Sequence, residues 1–351
     1  MSSNFPHTSF PRSSGKINIT GLLPGEINEV FGFRETYRGK QVFKWFSRGI
    51  FDFDSMTDLP LDTREMLKDR AVFSSSVESV HKDIDGTVKL RVRLADGLLI
   101  ETVLLEDENG RKTACLSTQV GCGMGCKFCR TALMGLKRNL EPHEIMEQLY
   151  LLMHGYGKIS NIVFMGMGEP LDNFENVRRA VEILHSKDGL GLSLRRITLS
   201  TSGIVSGIKK LTALGPYVRL ALSLVSARED LRRVLMPITR VNPLVDVKRA
   251  LVEYQRITGK RITLEMVILG GINDGKEDVE ALIEFIPPLR AVVNIIPWNP
   301  ARDINFVPPS PKRLAYFKRE LERAGIPVTR RYTRGQGVNG ACGQLMVIEP
   351  T

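Results

Sequence analysis

Several things are missing from this sequence, and each absence excludes something. No apolar stretch comes near the roughly 18 uninterrupted residues needed to cross a bilayer. The opening MSSNFPHTSFPRSSGK has no apolar core of the kind a secretory signal carries. A cytoplasmic protein with no membrane partner is therefore expected. Cysteine is sparse, five in 351 residues, and the count is odd, which argues against a disulfide framework. What is present is ordinary: 42% hydrophobic and 25% charged residues describe a folded globular chain, not a disordered tail or a fibre. The length allows one large domain or two.

Charge is unevenly spread. The net excess is +10, yet residues 1–100 carry 14 basic against 13 acidic side chains, while residues 301–351 carry nine against four. A polyanion partner and a merely solvated basic surface both fit that excess.

Periodicity divides the chain. Residues 1–16 are polar, Ser- and Pro-rich and without period, which predicts a disordered leader. Residues 17–73 read as a small helical module, with PGEINEVF, KQVFKWFSRGIF and TREMLKDR as its helices. Residues 74–111 alternate apolar and polar around Asp85-Gly86 and Asp96-Gly97, which predicts a three-stranded meander linking the module to the rest. From residue 112 to 351, short β-rich runs (TACLSTQV, NIVFMGM, RITLSTS, VRLALSL, ITLEMVIL, VVNIIPW and a final PVTRRYT) alternate with helical patterns. Such alternation means parallel strands with covering helices, an α/β fold closing into a complete or partial barrel whose chemistry sits at the strand C-termini.

Three of the five cysteines fall within eight residues, Cys122-Gly-Met-Gly-Cys126-Lys-Phe-Cys129, in the loop after the first barrel strand. Three thiolates so close suit one metal centre. Zinc asks for a fourth Cys or His at comparable spacing, and the next candidates, His143 and His154, lie on a helix beyond a basic stretch. A 4Fe-4S cluster held by three cysteines leaves one iron open. That iron could take the amine and carboxylate of S-adenosylmethionine and pass an electron to its sulfonium.

With Phe128 before its last cysteine, the C-x3-C-x2-C triplet resembles the signature of the radical SAM superfamily. Beyond it, TACLSTQVGC, CKFCRTALMGLKRNL, FMGMGEPLDN, TLSTSG, PWNP and GACGQL make residues 85–350 similar to the RlmN/Cfr family of 23S rRNA and tRNA adenine methyltransferases, in order and spacing. The resemblance implies a partial radical SAM (β/α)6-type barrel, a 4Fe-4S cluster on Cys122, Cys126 and Cys129, and two S-adenosylmethionine molecules per turnover. It further implies that Cys342 accepts a methyl group by displacement and carries it to the base as a methylene radical. Cys115 then attacks the Cys342 sulfur, releasing methylated RNA and leaving a disulfide that a reductant must open. Glu101 aligns with the family's proton acceptor. An electron donor must feed the cluster.

The same resemblance implies cofactor contacts at Gly168, Glu169, Ser200, Ser223, Leu224, Val225 and Asn299. Val225 stands where the family carries His, so only a backbone contact could survive there. Arg34, Arg38, Lys40 and Lys44 of the module, and Arg330, Arg331 and Arg334 before the Cys342 loop, are candidates for RNA phosphate contacts or simply a wet basic face. Gly335, Gly337, Gly340 and Gly343 around Cys342 suit a moving loop. Adenine C2 is an amidine-type carbon with no nucleophilic character, so a radical must make the bond. The match, with Pro170 after Gly-Glu, favours C2 over C8 methylation. Two alternatives remain: the C8 activity of the Cfr branch, and a non-catalytic iron–sulfur or zinc RNA-binding protein.

Overall fold

The computed structural model describes residues 12–13, 15–330 and 334–347. Of the expected leader, residues 1–11 and 14 lie outside the described residues, whereas β1 (Arg12–Ser13) pairs antiparallel with β2 (Lys16–Asn18) around Gly15. Three helices follow: α1 (Pro24–Phe31), α2 (Arg38–Phe46) and α3 (Leu61–Arg70). The first begins with Pro24 at its first position and stops at Gly32, whose φ of +69° ends the helix. Next, β3 (Ala71–Val72) runs parallel to β2.

The module sits on the barrel through a continuous core. Phe43 and Phe46 are buried, with Phe46 against Tyr150 at 6.3 Å between ring centres. Beside them Glu147, fully buried, accepts from Thr20 Oγ1 at 2.8 Å, Ser74 N at 3.1 Å, Ser74 Oγ at 3.2 Å and Ser75 N at 2.8 Å.

The meander forms as β4 (Ser76–Lys82), β5 (Val88–Arg93) and β6 (Leu99–Glu106), turning at Gly86 and Gly97 with φ of +83° and +84°. It is no separate sheet. Antiparallel pairing of β6 with β7 (Lys112–Cys115) joins it to the main one.

One strand differs from expectation. TACLSTQV is broken at residues 116–118, after which β8 (Gln119–Gly121) makes its own hairpin with β9 (Leu136–Asn139). Ser117 causes the break: its N–H donates to Gln148 Oε1 at 2.8 Å and its hydroxyl to the Glu101 carbonyl at 2.6 Å, turning the chain out of the ladder. Gln148 belongs to α4 (Pro142–Tyr156).

The repeating part continues as β10 (Asn161–Phe164), α5 (Phe174–His185), β11 (Ile197–Thr201), α6 (Val205–Leu214), β12 (Arg219–Ser223), α7 (Glu229–Leu235), α8 (Leu244–Thr258), β13 (Ile262–Ile268), α9 (Lys276–Phe285), β14 (Ala291–Pro297), α10 (Pro311–Arg323) and β15 (Val328–Arg330). The expected last strand extends to Thr333, but residues 331–333 lie outside the described residues. The ten-stranded sheet runs β15-β14-β13-β12-β11-β10-β7-β6-β5-β4, parallel from β15 to β7 and antiparallel thereafter. Helices cover the parallel part, which is why strands such as ITLEMVI are almost wholly buried. Because β15 and β4 are opposite edges, the barrel is open, as expected.

Candidate active site

The C-terminal ends of the parallel strands converge on one chamber of about 160 Å3. Gly166, Gly168 and Glu169 reach it from beyond β10, Ser200 from β11 and Ser202 from just beyond it, Ser223 from β12, Glu265 from β13, and Trp298 and Asn299 from beyond β14. Cys122, Cys126 and Cys129 face the same space from the loop between β8 and β9, with Phe128 beside them.

Gly168 shows how tightly this wall is built. Its φ is +100°, and a Cβ there would lie 2.6 Å from Gln119 Cβ and 2.7 Å from Gln119 N, so only glycine fits. Gln119 Oε1 in turn accepts from Glu169 N at 2.8 Å. The Glu169 carboxylate accepts from Leu171 N at 3.1 Å and Ser202 N at 2.7 Å, and burial pushes its pKa up against those bonds.

Burial also raises all three thiols, Cys122 to about 12, with the neighbouring thiols and Glu169 adding to it at Cys122 and Cys126, and Cys342 at Cys129. Without metal they are therefore protonated, and a bound cation would displace their protons. No three Cys, His, Asp or Glu side chains among the described residues converge on a single point as around one ion. A cuboidal cluster takes each cysteine on a different iron, so thiols spread along one chamber wall fit it. His143 packs by Gly21 and His154 bonds the Gly49 carbonyl, both under the helical module and away from the chamber. For the adenosylmethionine, a buried acceptor on the chamber wall, Asn299 Oδ1, has no hydrogen-bond partner among the described residues and suits a polar ligand.

Cys342 stands at a junction. With Asn299, Met165, Ile296 and Leu345 it lines this chamber and also a second cavity of about 290 Å3, which holds Cys115, Val103, Leu105, Asp107 and Arg334. The loop is pinned on the triplet side: Arg130 N donates to Gly343 O at 2.8 Å, Thr131 Oγ1 to Leu345 O at 2.7 Å, and Asn299 Nδ2 to Cys342 O at 3.1 Å. None of the five cysteines is joined in a disulfide.

The family follows from comparison with known proteins. A model of the radical SAM superfamily matches residues 116–286, and a model of the ribosomal RNA large subunit methyltransferase N-terminal domain matches residues 17–73. A protein of Treponema pallidum (strain Nichols), named a probable dual-specificity RNA methyltransferase RlmN, is 46% identical over 328 residues, 93% of this chain and 96% of that protein. The chain belongs to the RlmN family. A Flavobacterium psychrophilum protein of the same name is 41% identical over 339 residues, 94% of this chain and 97% of its own. Among solved structures, a radical SAM methyltransferase from Sphaerobacter thermophilus superposes with a TM-score of 0.89 at 39% identity, covering 93% of this chain and 98% of its own. RlmN membership makes this a radical SAM enzyme and implies a 4Fe-4S cluster and S-adenosylmethionine.

Three residues expected in the site line neither cavity. Leu224 and Val225 are fully buried outside the chamber, because both N–H groups donate to the Glu265 carbonyl, at 3.0 and 3.3 Å, and draw the end of β12 behind the wall. Glu101 borders neither cavity. It is fully buried, paired with Lys89 at 2.9 Å and Arg91 at 3.7 Å, and accepts from Met346 N at 3.1 Å. Arg334 lines the Cys115 cavity and donates to Glu106 O, Arg330 is exposed on β15, and Arg331 lies outside the described residues. Lys40 pairs with Asp188 of the barrel at 3.1 Å, while Arg34 and Lys44 are exposed. Sequence reasoning missed Glu265, although a lone charge inside the apolar run ITLEMVIL was a legible sign of a polar wall.

Proposed function

We propose that the protein methylates C2 of adenine in 23S rRNA and in tRNA, in the cytoplasm, consuming two S-adenosylmethionine molecules per turnover. The observation that carries this reading is the position of Cys342 between two cavities, one bordered by the cysteine triplet and the other by Cys115. A thiol so placed can take up a methyl group on one side and be resolved by a second thiol on the other. When bound, the cluster would supply the electron that turns S-adenosylmethionine into a 5′-deoxyadenosyl radical.

Each residue then has its task. Cys122, Cys126 and Cys129 hold the cluster, and Gly168, Glu169, Ser200, Ser223 and Asn299 hold the adenosylmethionine. The Cys342 thiolate displaces the methyl group from one sulfonium and presents it to the base. Glu101 takes the ring proton once the loop it grips through Met346 N has lifted. Cys115 attacks the Cys342 sulfur, and a disulfide reductant restores both thiols. Residues 17–73 and the basic segment near Arg334 contact RNA phosphates, so affinity falls as salt rises.

The test is nucleoside analysis. RNA treated with reduced enzyme and S-adenosylmethionine is digested and co-eluted against 2- and 8-methyladenosine. We expect 2-methyladenosine with release of 5′-deoxyadenosine. The 8-isomer would overturn the C2 assignment, and no 5′-deoxyadenosine at all would overturn the enzymatic one.

A further inference from the structure

The seven-residue helix α7 carries two adjacent arginines with different fates. Arg233 is half exposed and pairs with Glu229 at 3.3 Å. Arg232 is fully buried, rare for an arginine. Its guanidinium donates to the carbonyls of Leu224 (3.0 Å), Ser202 (2.6 Å) and Ser223 (3.2 Å) and to the hydroxyl of Thr239 (2.6 Å). All four acceptors are neutral. Among the described residues no carboxylate lies within 4.0 Å of it. Burial pulls its pKa down to about 10, with Cys126 and then Glu229 pulling it back, so it remains a cation at neutral pH.

A buried charge without a counter-ion is costly, and proteins rarely keep one unless an opposite charge is supplied. The surroundings show where that charge belongs. Ser202 and Ser223, whose carbonyls Arg232 holds, line the chamber. The loop of the triplet is tied to the same helix, since Lys127 N donates to Leu235 O at 2.9 Å and Cys126 packs against the apolar cluster that contains Leu235.

Three thiolates on an oxidised 4Fe-4S core of charge 2+ leave a net charge of −1, and one-electron reduction makes it −2. A fixed cation behind the chamber wall favours the more negative state. We propose that Arg232 is the built-in counter-charge of the cluster, raising its reduction potential by stabilising the reduced form. This rests on the cluster reading of Cys122, Cys126 and Cys129. Arg232 is thus a positioning residue, acting through the thiolates without touching the reacting atoms.

Midpoint potentials of the anaerobically reconstituted full-length enzyme test it, read by electron paramagnetic resonance alongside iron and sulfide content. R232Q keeps hydrogen-bond donors but not the charge, and its reduction equilibrium constant should fall at least tenfold, 59 mV for a one-electron couple. R232K keeps the charge and should stay within threefold of the wild type. E229Q leaves every Arg232 hydrogen bond in place while removing an opposing negative charge, and should shift the potential upward. If R232Q does not fold, the E229Q shift decides alone. Wild-type potentials in both R232Q and E229Q, or equal falls in R232Q and R232K, would overturn the counter-charge. Wild-type protein that takes up no iron and sulfide would instead overturn the cluster reading beneath it.

Discussion

Val225 combines two features that oppose each other. Its side chain is fully buried with Phe128, Met236, Leu269 and Trp298, yet its φ is +62°, a left-handed backbone that costs a β-branched residue about 1–2 kcal/mol. Asn273 Nδ2 holds it there, donating to its carbonyl at 2.7 Å. Truncation to alanine loses two buried methyls and truncation to glycine the Cβ as well, but only glycine relieves the backbone. The extra buried carbon costs about 0.8 kcal/mol and the freer glycine backbone about 0.5–1 kcal/mol. Relief of the left-handed strain, about 1–2 kcal/mol, should offset both, so V225G should match V225A within about 0.5 kcal/mol in urea unfolding. A V225G less stable than V225A by more than about 1 kcal/mol would mean the strain is absent. Legibility at this scale followed the chemistry. Cys122, Cys126 and Cys129 could be singled out because their spacing is written in the chain, whereas Cys115 and Cys342 were marked by the resemblance to the RlmN/Cfr family. Arg232 could not, because LRRVL reads as a solvated helix face until the rotation of α7 is known.

The loop from Arg334 to Val347 is held at both ends. Its first half rests on the β4–β5 hairpin, where Asp85 Oδ2 accepts from Gly335 N at 2.7 Å and Asp83 Oδ2 from Gly337 N at 2.8 Å. At Gly335, with φ of +72°, a Cβ would come within 2.7 Å of Thr87 Cγ2. Drawn in this way, the loop narrows the strand-end chamber to well below the roughly 300 Å3 usual for a small-molecule site, so ligand entry requires it to move outward. Under the proposed function, the two aspartates set how readily Cys342 changes sides. With D83A/D85A we expect trypsin to cut after Arg334 at least fivefold faster, and 5′-deoxyadenosine to form without matching RNA methylation. Unchanged cleavage would show that the hairpin does not restrain the loop. Both hairpin turns were legible from Asp-Gly pairs, as were the parallel strands from their apolar runs. The interruption at Ser117 was not, because its cause is a glutamine 31 residues away on α4.

The whole molecule behaves as one body because module and barrel share a core and Glu147 is buried at their junction. E147A strands the donors of Thr20, Ser74 and Ser75 and should cost about 3 kcal/mol. Burial raises the Glu147 pKa above its unfolded value, against the pull of Ser75, Ser74 and Thr20. The folded chain therefore holds this proton more tightly. The contribution of the proton is complete below the unfolded carboxylate's pKa and is lost as pH rises through the folded one. Urea unfolding across that range should show a pH-dependent component in the wild type that E147A lacks. Two separate transitions in the wild type would refute the shared core. The division of the interior into two cavities that meet at Cys342 has a pharmacological consequence. A compact apolar molecule filling the 290 Å3 space beside Cys115 would bear on Cys342 from a wall of which Val103, Leu105, Asp107, Cys115 and Arg334 border that space and not the strand-end chamber. Selectivity over other enzymes that use the same cofactor would come from those residues.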